Sequence, residues 1–461
     1  YFLHIQKSLV EGCIFMAFIS IAKRAVFSNL EVHKNIDFEY AKNIGSINFF
    51  STVIKGELCF YGAKKIGEIG FDGDKGSIGD NLSLGYAEIQ GDVTFESTKI
   101  YGKVDCNSVK IEGNANFKSL KVDKAMYFEN AIIESGLNLE SAILGAGDYN
   151  PVDKTASFQE AEINGSANFE NTEFMSRTGF VSTHFKGNVF FNKTKFHDFT
   201  HFNGAKFFED VDFDQTTFKE KVDFSKASFL EVGLFSEINI SNDSNFIASF
   251  EDARLKNVAF RDCDLTCVAF KHVILENCEL STSNWTNKIL EHKDYEENKS
   301  LMRAFKAIKN ATFRGESKGY KDSLGRYCKF IKRFLKELWA PSQFKKAEIA
   351  GDTYRRLKQC LQNEGSYNKA GKFYINEMNM KKEVYRSKNK KSWLFYIFLS
   401  ITSGYGEKLT PIFTIFTFYW IIYVSAVYFM PNNKLVIPVG SGILSILTAL
   451  FVYVFARKMA R

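Results

Sequence analysis

Large apolar residues recur along this chain at a spacing that fits neither ordinary secondary structure. From Phe169, steps of eleven land on Phe180, Phe191, Phe202, Phe213, Phe224 and Phe235; from Phe174, the same step lands on Phe185, Phe196, Phe207, Phe218 and Phe229. The two series interleave at spacings of five and six, and the residues between them are mostly Asp, Glu, Lys, Asn and Thr. An amphipathic helix needs apolar positions about every 3.6 residues, and a half-buried strand needs them at every second residue. A period of five suits a square coil instead. Each side sends one large residue to the axis, a small residue two positions earlier leaves room for it, and the other three face water. Stacked coils pair their backbones, and each buries the face of the next.

The same step runs upstream through Leu84, Phe95, Cys106, Phe117, Phe128 and Leu139, with Ile89, Ile100, Ile111, Val122 and Ile133 as the second series. Earlier still come Phe27, Phe38, Phe49, Phe60 and Phe71, and a two-residue slip before Leu84 predicts an insertion around Asp72–Asp80. Downstream the spacing becomes five throughout, with centres at Phe250, Leu255, Phe260, Leu265, Phe270, Leu275, Leu280 and Trp285. The predicted interior ladder therefore comprises the twelve phenylalanines of the first two series up to Phe229, together with Phe260, Leu265, Phe270 and Leu280.

The stretches Ala167-Asn168-Phe169, Cys263-Asp264-Leu265 and Cys278-Glu279-Leu280 fit the pattern A-(D/N)-L-x-x. In this the chain resembles the pentapeptide-repeat proteins. The resemblance implies a mainly β fold, a right-handed quadrilateral β-helix over residues 1–285. It implies about 20 residues per coil where the spacing is five and about 22 in the 5+6 region up to about residue 235, with the extra residue bulged at a corner.

Two further regions follow. Residues 286–392 read as an α-helical linker. It contains a basic amphipathic helix, Tyr327–Ala340, and a helical hairpin, Gln343–Gln362 and Tyr367–Lys388, broken at Asn363-Glu364-Gly365-Ser366. Within it, Glu377 faces Lys381 at i,i+4. Residues 393–461 read as a short interfacial helix and a transmembrane helical hairpin, with uncharged spans at about 411–430 and 436–456. Lys388, Lys390 and Lys391 precede the first span, and Arg457, Lys458 and Arg461 follow the second. The positive-inside rule then predicts a multi-pass protein of the inner cell membrane with a cytoplasmic repeat domain.

The C-terminal part also resembles the two-helix region of ion channels. Gly404-Tyr405-Gly406 is similar to a selectivity filter, but it lies before the first span, and Pro431–Lys434 is too short to hold a pore loop. A channel whose pore loop is missing or degenerate is thus the alternative to a membrane-anchored scaffold. The chain starts at Tyr1, inside a repeat, and reads as a fragment.

Charge sharpens the division. Residues 1–285 carry 40 acidic and 28 basic groups, net −12, and the remainder carries 13 acidic and 32 basic groups, net +19. The acidic part argues against gripping a nucleic-acid backbone, and the basic part suits an anionic bilayer. DNA mimicry toward a topoisomerase, known in the resembling family, would want a more strongly acidic, free rod. The eight cysteines form no CxxC, and Cys263 and Cys278 fall in the small-residue slot, which reads as packing. His197 and His201, with Asp198 between them, occupy outward slots and read as solvated surface. No phosphate loop, nucleophile elbow or ligand set for a metal is visible. The expectation is a protein without catalytic activity or cofactor. Its expected partners are a lipid bilayer, an unidentified protein and other copies of itself through the transmembrane helices.

Overall fold

The computed structural model describes residues 2–6, 9–16, 23–72, 76–240, 248–285, 289–296 and 344–402. The chain divides into two units, Tyr1–Thr286 and Asn287–Arg461.

The first unit is a β-solenoid of about eleven turns. Its strands, mostly two residues long, form four parallel sheets of 12, 12, 11 and 11 strands. One turn of the chain visits all four. In the best-repeated stretch, Ala167–Asn168 lies on the first face, Glu173–Phe174 on the second, Thr178–Gly179 on the third and His184–Phe185 on the fourth. The next turn repeats them 22 residues later in register, Ala167 opposite Val189 and Phe174 opposite Phe196.

Two kinds of corner close the coil. After the first and third faces a tight turn forms, with Thr172 N–H donating to Phe169 O at 3.0 Å and Ala161 N–H to Phe158 O at 3.1 Å. These turns put a residue at positive φ, such as Asn171 at 56°. They also explain the Asp or Asn of the motif. Asn168 Oδ1 accepts from Glu170 N–H at 2.9 Å, and Asp212 and Asp223 do the same for Asp214 and Ser225, both at 2.8 Å.

After the second and fourth faces of the same stretch lies the extra residue of the 5+6 spacing: Phe174 to Phe180 and Ile163 to Phe169 are the six-residue steps. The corner after the fourth face stacks Gly45, Gly67, Gly91 and Gly113 coil upon coil, with Gly67 N–H on Gly45 O at 3.1 Å. A Cβ on Gly113 would stand 2.5 Å from the backbone carbonyl of Gly91. Gly113→Ala is therefore expected to cost about 1–3 kcal/mol, because two hydrogen-bonded backbones must separate. Equilibrium unfolding in denaturant checks this, and a cost under about 0.5 kcal/mol would mean the corner is soft.

Inside the coil the rings pile up at the coil repeat. Phe169, Phe191, Phe213 and Phe235 on the first face stack at 4.8, 4.8 and 4.6 Å, nearly parallel. Phe180, Phe202 and Phe224 on the third face stack at 4.8 and 4.7 Å. The two columns meet edge to face, for example Phe180 with Phe191 at 5.6 Å. The spacing matches the distance between paired strands, so one backbone ladder sets the stacking of every column. Threonines fill small slots beside the rings. Thr172, Thr183, Thr194 and Thr216 are buried and donate Oγ1 to the carbonyls of Leu139, Phe158, Phe169 and Phe191, one coil back, at 2.7, 2.7, 2.6 and 2.8 Å. A 3-10 turn at Pro151–Lys154 occupies a longer excursion between the second face at Ile143–Leu144 and the third at Ala156–Ser157. The register slip falls between strands Ile69–Asp72 and Ser77–Ile78.

The second unit is helical: α1 (290–296), α2 (344–363), α3 (Tyr367–Lys388) and α4 (Lys390–Thr402). Gly365, at φ 76°, ends α2, and Ser366 N–H turns back onto Leu361 O at 2.8 Å. Tyr354 of α2 is fully buried. Its hydroxyl lies 2.7 Å from His292 Nδ1 and accepts from Ile289 N–H at 3.3 Å, which ties α1 to the hairpin.

Two expectations are corrected here. Among the described residues no helix is long and apolar enough to cross a membrane. Over the described residues the fold is a mainly β solenoid with a few C-terminal helices and no transmembrane hairpin, and the multi-pass inner-membrane location is withdrawn with it. Neither of the last two described helices can span a bilayer. Helix α3 has 22 residues but carries charges along its length. Helix α4 is apolar but has 13 residues, a rise of roughly 20 Å against a hydrocarbon core of about 30 Å. The stretches 411–430 and 436–456, the amphipathic stretch 327–340, Gly404-Tyr405-Gly406 and Arg457, Lys458 and Arg461 lie outside the described residues. Lys388, Lys390 and Lys391 are exposed where α3 meets α4.

Candidate functional site

The solenoid's chemistry is sorted by depth. Phe169, Phe174, Phe180, Phe185, Phe191, Phe196, Phe202, Phe207, Phe213, Phe218, Phe224 and Phe229 are all buried, as are Phe260, Leu265, Phe270 and Leu280. None of these groups is available to a ligand. What a partner meets is the outward residues of each strand and the corners.

Those outward residues are ionic but matched. On the second and fourth faces Lys195 pairs with Glu173 at 2.6 Å, Lys64 with Glu88 at 2.5 Å and Lys186 with Glu162. On the first and third faces Asp212, Asp223, Asn168 and Asn138 are bound to backbone N–H groups of their own turns. Exposed pairs of this kind contribute little stability, about 0–1 kcal/mol each. They leave a mixed-sign surface rather than a continuous anionic one.

The remaining titratable groups do not converge. His197 is largely buried at the corner after the second face and His201 is exposed on the third, with Asp198 capping Phe199 N–H at 2.6 Å. Burial, then Lys219, holds the His197 imidazole below its ordinary value; Lys219 Nζ sits 3.1 Å from its Nδ1. Burial, then Lys206, lowers His184 likewise. Both rings thus bind a proton less readily in the folded chain than in the unfolded chain, which takes up protons near the ordinary value of 6.5. Their contribution to stability is complete above that value and is lost as pH falls through the depressed folded values. The thermal midpoint is expected to drop between pH 7 and pH 5.5, and His184→Asn with His197→Asn should flatten that drop. An equal drop in the double variant would assign the effect elsewhere. Glu173, held down chiefly by its bond from Lys195, adds the same sign only below its ordinary 4.5.

Cys106 and Cys263 are poor nucleophiles. Burial pushes Cys263 up to about 11 and Cys106 well above its ordinary value. Cys263 Sγ instead lies 3.2 Å from Phe235 O and Cys278 Sγ 3.3 Å from Leu255 O, the role the threonines play elsewhere. Glu251, Asp252 and His272 come together at a corner of the third face, but Lys271 already pairs with Glu251.

One surface feature had no signal in the apolar period. Tyr40, Tyr61 and Tyr86 lie in successive turns after the third face, with ring centroids 6.0 and 5.4 Å apart. They alternate between the first and second turn positions, so no fixed step connects them. Reading the turn positions, rather than the ladder, would have found them.

The comparisons agree with this architecture. The pentapeptide-repeat family model, in its nine-copy form, matches residues 180–228. Residues 180–228 are thus a run of pentapeptide repeats. No curated protein matches it. Among solved structures, similarity is found to HetL, a pentapeptide repeat protein involved in heterocyst differentiation regulation from the cyanobacterium Nostoc sp. strain PCC 7120. Identity is 15%, coverage is 56% of this chain and 90% of HetL, and the TM-score of 0.16 carries no argument beyond the shared repeat. The match and the geometry describe the same thing: the matched segment is the stretch in which all four columns are phenylalanine.

Proposed function

We propose that this pentapeptide-repeat protein is a non-catalytic scaffold that binds another protein along the outside of its solenoid. The observation that supports this best is the segregation of chemistry. Large and reactive groups are buried in the ladder, while every coil offers about four outward strand residues and four corners on a regular frame. Eleven coils at about 4.8 Å give a frame on the order of 50 Å long, over which outward residues can vary without disturbing the core. The matched, mixed-sign charge supports protein binding over phosphate mimicry.

The test is photo-crosslinking from one outward position on each face of the full chain, at Asn168, Lys195, His201 and Lys206, in its native cells. A discrete adduct confined to one or two faces supports the reading. Absence of any adduct from all four positions, or turnover of a substrate by the purified protein, overturns it.

A further inference from the structure

Resting on the scaffold reading, we propose that the corner carrying Tyr40, Tyr61 and Tyr86 is the docking site for a cationic peptide segment, rich in arginine or lysine, of a partner protein. Tyr40 and Tyr86 are 44% and 53% exposed, and Tyr61 lies half-buried between them. The rings meet edge to face, at 86° and 67°, and form one continuous aromatic strip over three coils.

The strip is built at a cost to the backbone. Tyr40 and Tyr86 adopt φ of 53° and 58°, where the equivalent positions of other coils hold Gly62, Ser108, Asn130 and Gly204. A bulky residue is rare in that region. The neighbouring turn positions are cleared for the rings. A Cβ on Gly62 would come within 2.6 Å of the Tyr40 ring, and one on Gly85 within 3.2 Å of the Tyr61 ring. The solenoid needs no aromatic residue here, since its other coils close the same turn with small or polar ones.

The surroundings state the partner's charge. Asp37 lies on the third-face strand of the first of these coils and Asp105 on that of the next coil after them, Glu39 and Glu57 flank third-face strands, and Asp80 enters the coil of Tyr86. Burial and then the mutual repulsion of Asp80, Asp37 and Glu39 push the Glu57 carboxyl above its ordinary value, a sign of concentrated negative potential. Of the lysines of these coils, Lys55 is engaged with Glu31 at 2.6 Å and Lys64 with Glu88 at 2.5 Å, both on adjacent faces. Aromatic faces rimmed by carboxylates are the chemistry that receives guanidinium and ammonium groups, by cation–π contact and charge pairing together.

The experiment is fluorescence anisotropy on the full chain with a labelled peptide of alternating arginine and glycine, beside glutamate–glycine and leucine–serine peptides, at near-physiological salt. The arginine peptide is expected to bind and the other two are not. Tyr40→Ser, Tyr61→Ser and Tyr86→Ser combined should weaken binding at least about tenfold with every carboxylate kept. Asp37→Asn with Glu39→Gln and Asp80→Asn should weaken it as well and reduce its salt dependence. The tyrosine variant should keep or raise its thermal midpoint, because serine sits in the same turn of other coils. Unchanged affinity in the tyrosine variant, no binding of the arginine peptide, or a preference for either control peptide overturns the proposal. If it fails while crosslinks from Lys195, His201 or Lys206 persist, this site falls and the scaffold reading stands. If crosslinks from these three positions and from Asn168 are all absent, both fall.

Discussion

Phe191→Ala will destabilise the solenoid by about 4 kcal/mol, the middle of the range for removing a buried aromatic ring. The ring is wholly buried and stacks on Phe169 and Phe213 at 4.8 Å on either side. It also meets Phe180 and Phe202 edge to face, both at 5.6 Å. The gap cannot close, because the coil on each side is held by backbone bonds such as Val189 N–H to Asp210 O at 2.9 Å and Phe191 N–H to Asp212 O at 2.7 Å. A cost near the full transfer-plus-cavity value follows. Because each coil touches only its neighbours, the lesion should stay local. Hydrogen exchange should accelerate over about residues 169–213 and remain as it was over 27–117. Phe191→Leu should cost about half as much or less, since Leu139 already fills the same column two coils earlier. A loss below about 1 kcal/mol for the alanine variant would mean that the ladder is loosely packed.

How much of this was legible in the sequence depends on what sets each feature. The solenoid was readable because its interior is repetitive by composition: a Phe column every 22 residues on each of four faces appears directly as spacing. The location of the extra residue was not readable. It sits at the corners after the second and fourth faces; glycines such as Gly165 and Gly187 recur at the fourth, but Ser176 and Asp198 stand at the second, so no one residue type marks both. The positive-φ turn positions were equally silent. They hold Asn171, Ser182, Lys193, Gly204 and Gln215 in consecutive turns, because the stacked coils, rather than the residue's own preference, impose the conformation. The tyrosine corner was lost for the same reason. At the C-terminal end the uncharged runs 411–430 and 436–456 lie outside the described residues, and the helices described there are either charged, as α3 is, or too short to span, as α4 is.

The helical unit carries the second large effect: Glu377→Ala is expected to cost about 3 kcal/mol, at the lower end of the range for breaking a buried pair. Glu377 is 1% exposed and receives two lysines, Lys381 at 2.7 Å from its own helix and Lys358 at 2.8 Å from α2. Only the first of these contacts follows from i,i+4 spacing; the second links α2 to α3 and needs the hairpin to exist. Lys358 is 16% exposed and Lys381 37%, so removing the carboxylate strands chiefly the Lys358 ammonium, which lies 5.3 Å over the Tyr374 ring and cannot reach water freely. Desolvation of that unpaired charge, rather than the lost attraction, sets the size of the effect. Replacing both partners, Glu377→Leu with Lys358→Met, should therefore recover most of what either single change loses. Lys381→Ala should cost under about 1 kcal/mol, because its charge is already partly solvated. Chemical denaturation of the four variants, followed by helical circular dichroism, reads this out. A double variant as unstable as the worse single one would show that the pair is held by specific bonding rather than by the penalty of a buried charge.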